Sequence, residues 1–91
     1  MKVYTVSELL LEVRKLVEDT YPMVWVEGEV IDLYAASSGH LYFSLKDEHA
    51  MVSAIVYKER RDLNTALLKN GMKVKVFGTL TLYAKRGGLT I

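Results

Sequence analysis

His40, Tyr42, Ser44 and Lys46 occupy alternate positions of one short run, with Leu41, Phe43 and Leu45 between them. A period of two puts the first set on one face of a β-strand and the apolar set on the other. A following run places Met51, Ser53, Ile55 and Tyr57 opposite Val52, Ala54 and Val56. Further on, Lys73, Lys75 and Phe77 share one side of a third run, and Lys85 and Arg86 lie in the turn that ends it. Aromatic rings stack on nucleobases and cations track backbone phosphates, so this is the chemistry of a single-stranded nucleic-acid platform. The candidate contacts are His40, Tyr42, Lys46, Tyr57, Lys73, Lys75, Lys85 and Arg86. The same pattern also suits an ordinary half-exposed sheet, in which Tyr42 and Tyr57 make a cross-strand pair that only stabilises a hairpin.

Other chemistries find little support. There is no Cys, which removes thiolate catalysis, disulfides and cysteine metal sites. The two histidines, His40 and His49, lack metal-ligand spacing. Glu27 with Glu29, and Asp47 with Glu48, read as solvated or salt-bridged carboxylates. The glycines form no phosphate loop between a strand and a helix. No catalytic residue, metal or cofactor is therefore expected. The formal net charge is only +1, so a nucleic-acid partner must be argued from where the charges lie rather than from their sum. No apolar run is long enough to cross a membrane, and a cytoplasmic location is expected.

The elements that position these residues are legible from periodicity. Residues 5–20 read as a helix, with Thr5 and Glu8 at capping-box spacing and an apolar stripe through Val6, Leu9, Leu10, Val13, Leu16 and Val17. Residues 23–34 read as a long strand interrupted by Gly28, which suggests a bend or a close backbone approach. A small-residue loop over 35–39 leads into a predicted hairpin of arms 40–47 and 50–57, turning at Asp47-Glu48-His49. Residues 58–70 read as a helix stopped by Asn70-Gly71. Residues 72–84 read as a second long strand with a central Gly78, and Leu89 to Ile91 begin another.

Three strands, a helix and two strands is the order of the five-stranded oligonucleotide/oligosaccharide-binding (OB) Greek-key barrel. The fold class is thus predicted as mainly β, with an N-terminal helix, a helix between strands 3 and 4, and a truncated fifth strand. An open antiparallel α+β sheet is the alternative. The helix of residues 1–20 is expected to pack on a barrel of 21–91 in a single structural domain. Trp25 points outward along its strand and is expected to pack beneath that helix. The short last strand suggests a piece of a longer chain, with an open sheet edge at Leu89 to Ile91 available for self-association.

Four ordered blocks carry a family resemblance: Thr5-Val6-Ser7-Glu8-Leu9, Trp25-Val26-Glu27-Gly28-Glu29, Ser38 through Asp47, and Gly71-Met72-Lys73-Val74. Together they resemble the N-terminal OB domain of exodeoxyribonuclease VII large subunits. The resemblance implies a domain that binds single-stranded DNA within an enzyme degrading it to oligonucleotides. It also implies a partner small subunit, held through the rest of the large subunit, and a nuclease region outside these residues, so that this stretch alone is not expected to cut DNA. On this basis Tyr42 is expected to stack, and His40 and Lys46 to meet phosphates. A protein-interaction module and an anticodon-type RNA-binding barrel remain the alternative readings.

Overall fold

The computed structural model of the chain describes residues 1–83 and 88–90. Helix α1 spans Val6–Thr20. Its start is fixed by the sequence-predicted capping box: Glu8 N–H donates to Thr5 Oγ1 at 3.1 Å and Thr5 N–H to Glu8 Oε1 at 3.2 Å. These bonds occupy amide donors that a helix N-terminus otherwise leaves without intrahelical partners.

Strands β1 (Val24–Ala35), β2 (Leu41–Lys46) and β3 (Met51–Val56) follow, as expected, in antiparallel succession. The β2–β3 turn is held by Asp47, whose Oδ1 accepts the N–H groups of His49 at 2.8 Å and Ala50 at 2.9 Å. Those two donors hold the Asp47 carboxyl below its ordinary value of 3.8. The predicted helix over 58–70 is replaced by two short pieces, a single 3₁₀ turn at Lys58–Arg60 and helix α2 at Leu63–Ala66. Asp62 accounts for the break: its backbone is extended and its side chain caps Thr65 N–H at 3.0 Å, starting a new helix instead of continuing the old one.

The predicted long strand over 72–84 is likewise divided, into β4 (Lys73–Gly78) and β5 (Thr81–Tyr83). At the break, Thr79 Oγ1 donates to Pro22 O at 2.8 Å and Leu80 N–H to Tyr21 O at 3.4 Å, so the chain bends onto the α1–β1 connector. A last strand, β6, covers Gly88–Thr90.

The sheet order is β4-β1-β2-β3-β6-β5. Its two outermost strands, β4 and β5, are consecutive in the chain and separated only by Thr79 and Leu80, so the sheet curls back on itself. Counting β4 and β5 as one bent strand recovers the five-stranded order of the OB barrel. The open edge expected at the last strand is not found over its described residues: β6 runs antiparallel to β5 and pairs in parallel with β3 at Ser53 and Thr90.

The interior is built by the apolar half of each alternation. Val30, Phe43, Leu45 and Ala54 are buried, with Val26, Leu33, Val52, Val56, Leu68, Val74 and Val76 packed around them. Gly28 permits this tight wall. A Cβ there would sit 3.1 Å from Lys46 O and 3.2 Å from Leu45 Cβ, so β1 and β2 meet where a side chain has no room.

The N-terminal helix touches the barrel, but the expectation for Trp25 fails. The helix meets the barrel at its C-terminal end, on β5, where Glu18 accepts a hydrogen bond from Thr81 Oγ1. Much of its apolar stripe, including Val6, Leu9 and Leu16, is exposed. Trp25 is not beneath it: the indole is 70% exposed and lies against Phe77, with ring centroids 4.9 Å apart. Trp25 and Phe77 are register partners on the outer side of β1 and β4, and α1 docks on a different strand.

Candidate nucleic-acid interface

The outer face of β1, β2 and β3 carries two adjoining aromatic pairs. Tyr34 and Tyr42 are partners across the β1–β2 ladder, and their rings are stacked with centroids 5.3 Å apart and planes at 15°. Just ahead of β2, His40 meets Tyr57, the residue after β3, edge-on with centroids 5.2 Å apart. The bland alternative, a Tyr42–Tyr57 pair, does not form, because Tyr42 lies opposite Ile55 and Tyr57 falls beside His40.

Tyr34 escaped the sequence reading, and the reason is local. Val26 and Val30 face the interior, so period two would turn Asp32 and Tyr34 inward as well. Instead the β1–β2 register shifts between Ile31 and Tyr34, and Asp32 adopts a left-handed φ of 53°. This β-bulge reverses the alternation: Leu33 turns to the core and Tyr34 stands out, 58% exposed. The available signal was an acidic residue at an otherwise inward position of a twelve-residue strand, since Asp tolerates left-handed backbone better than most residues.

His40 has a structural duty first. Its Nδ1 accepts Lys58 N–H at 3.1 Å, which leaves Nε2 to carry the proton of the neutral ring. Arg61 donates from Nη1 to Gly39 O at 3.2 Å. A guanidinium has five N–H donors, so others remain for an anion. Gly39 has φ of 94°, and the Lys58 side-chain stem comes within 3.3 Å of where its Cβ would be. Lys58 and Arg61 thus converge on the loop that ends at His40, placing two cations near the aromatic end of the face.

The predicted lysines sit differently. Lys46 Nζ lies 3.9 Å from Glu29 Oε2. Across the β1–β4 ladder, Glu29 is opposite Lys73 and Glu27 opposite Lys75. Lys46 and Lys73 open on a groove of about 600 Å³ that is also lined by Glu27, Glu29, Asp47 and Glu48. Four carboxylates against two ammonium groups make that groove a poor track for phosphate. Lys85 and Arg86 lie outside the described residues. Among the described residues, no cluster of three or more His, Asp or Glu is placed to hold a metal ion, and no helix is long and apolar enough to cross a membrane.

A curled sheet with this five-stranded Greek-key order defines the class of oligonucleotide/oligosaccharide-binding barrels. The comparisons agree: residues 4–91 match the family described as OB-fold nucleic acid binding domain, and the chain belongs to that family. It is also similar to curated exodeoxyribonuclease 7 large subunits. Identity is 41% over 94% of this chain to the Pseudomonas aeruginosa (strain LESB58) protein, of which it covers 19%. The Azotobacter vinelandii protein gives the same identity and coverage. For Salinibacter ruber, identity is 44% over 96% of this chain and 22% of the relative. The chain therefore spans about a fifth of the length of these relatives.

Proposed function

We propose that the outer face of β1–β3 binds single-stranded DNA, and that the domain serves the large subunit of an exonuclease that degrades single strands to oligonucleotides. The observation that carries this reading is the Tyr34–Tyr42 stack, with Tyr34 exposed and Tyr42 half-buried, beside the His40–Tyr57 pair. Bases laid on such rings gain about 1–3 kcal/mol each, whatever their identity. His40 Nε2, Arg61 and Lys58 are the groups assigned to the phosphates at this end. Lys46, Lys73 and Lys75 are assigned a weaker flanking role because glutamates neighbour them. Lys85 and Arg86 are retained as candidate phosphate contacts on their sequence position alone.

The similarity to exodeoxyribonuclease 7 large subunits supports the enzyme context. In that context hydrolysis belongs to segments outside these 91 residues, a small subunit is the protein partner, and the location is cytoplasmic. The purified domain is accordingly expected to bind a labelled strand without shortening it, with or without magnesium.

The direct test is fluorescence anisotropy with a labelled oligothymidylate. Tyr34→Ala and Tyr42→Ala are each expected to weaken binding by about 1–3 kcal/mol, the worth of one stacked base. Unchanged affinity in both variants would remove the site. An RNA oligonucleotide bound more tightly than its DNA counterpart would instead favour the RNA-binding reading, since only RNA offers the 2′-hydroxyl.

A further inference from the structure

The bulge that exposes Tyr34 is held from a distant part of the chain. A bulge takes a residue out of its ladder and leaves backbone groups to be satisfied elsewhere. Here Leu33 N–H donates to Asn70 Oδ1 at 2.9 Å, across 37 positions of sequence. Asn70 is itself fixed by its neighbours. Gly71 N–H donates to Val30 O at 2.7 Å, and Val30 N–H to Met72 O at 2.8 Å, so the Asn70-Gly71-Met72 segment is laced to β1 just ahead of the bulge. Gly71 has φ of 91° and open space around its missing Cβ, so it serves the turn that brings Asn70 back to β1.

These bonds form a chain of cause. Asn70 occupies Leu33 N–H, Leu33 packs on the core, and the next residue, Tyr34, is directed outward onto Tyr42. We propose that Asn70 is a positioning residue for the base-stacking site: it locks the Asp32 bulge and thereby holds Tyr34 in the ring stack. Its helix-stopping role in the sequence pattern is secondary, because α2 ends at Ala66, before Asn70 is reached. The proposal rests on the DNA-binding reading for its functional consequence, but its structural half is testable without ligand.

The experiment compares the domain with Asn70→Ala, Asn70→Asp, Tyr34→Ala and the Asn70→Ala/Tyr34→Ala double variant. In the free domain, the ring-proton shifts of Tyr42 report the stacked Tyr34 ring. They are expected to change in Asn70→Ala as they do in Tyr34→Ala, and to be retained in Asn70→Asp, whose carboxylate accepts the same N–H. Affinity for oligothymidylate is expected to fall about fivefold or more in Asn70→Ala, the lower end of one lost stacking ring. It should be largely restored in Asn70→Asp, with no further loss when Asn70→Ala is added to Tyr34→Ala.

An equal added loss in the double variant would make Asn70 a direct contact and overturn the positioning role. Unchanged Tyr42 shifts in Asn70→Ala would overturn it without reference to DNA. If the shifts move as expected but the wild-type domain binds no oligonucleotide, the DNA-binding reading fails and the structural lock stands. Should Asn70→Ala not fold, amide exchange in the wild type decides. Slow exchange at Leu33 N–H supports the lock, and exchange as fast as in an unbonded loop refutes it.

Discussion

At the scale of the residue, what a side chain does here depends on which side of a strand it leaves. Leu45 is 2% exposed and Trp25 70% exposed, although Trp is the larger apolar group. Leu45→Ala is therefore expected to cost about 2–5 kcal/mol through the cavity it leaves. Trp25→Ala should cost no more than about 1.5 kcal/mol, the worth of its contact with Phe77. Denaturant midpoints of the two variants measure this directly, and a larger loss for Trp25→Ala would restore the indole to the core. The lysines make the same point for charge. Lys46 was legible as an exposed cation on the strand face, but the glutamate beside it came from β1 through strand pairing.

At the scale of the element, turns and bends decide where the strands go. Gly28 and Gly71 are both needed, for different reasons. Gly28→Ala drives a methyl against Lys46 O and Leu45 Cβ, and overpacking of this kind costs about 1–3 kcal/mol. Gly71→Ala meets no atom but forces a left-handed backbone on an L side chain, at about 1–2 kcal/mol. Gly71→Asn should recover part of that loss while Gly28→Asn recovers none, a contrast readable in thermal melts.

The β2–β3 turn gives the acid dependence. The folded Asp47 carboxyl lies below its ordinary 3.8, because the His49 and Ala50 amides favour its charged form. Its contribution is thus present above that value and is lost as pH falls through the lowered one. Glu18 behaves alike: Thr81 first and Arg14 second hold it below its ordinary 4.5. Asp47→Asn keeps an acceptor but removes the titration, so the loss of stability below about pH 4 should shrink. Urea unfolding at several pH values checks the sign; an undiminished acid-side loss would assign that loss to other groups.

At the scale of the whole molecule, the near-balance of charge sets the expected binding behaviour. Twelve basic and eleven acidic side chains leave a net +1. A face resting on stacked rings and a few cations should then show a modest salt dependence. Two phosphates neutralised by Lys58 and Arg61 on a single strand give a log–log slope of about −1.4. A titration against salt measures it, and a slope several times steeper would mean that a basic track beyond Lys58 and Arg61 carries the binding. The exposed stripe of α1 belongs to this scale too, since the helix is tied to the barrel chiefly at the end bearing Glu18.

Local alternation of residue types was enough to mark the wall of the barrel and the succession of its strands. Period-two alternation is a property of neighbouring residues, so Val30, Phe43, Leu45 and Ala54 could be placed inside without knowing what they would touch. The Thr5–Glu8 cap and the Asp47 turn were legible for the same reason, their partners being within three residues. Tertiary structure alone decided which rings stand together. Tyr34 reaches the face because a left-handed Asp32, secured by Asn70 from another part of the chain, reverses the alternation of β1. It likewise decided that Trp25 stays outside and that Glu27 and Glu29 flank the predicted lysines. Those outcomes depend on pairing between residues far apart in sequence, and strand periodicity carries no information about which partners the pairing supplies.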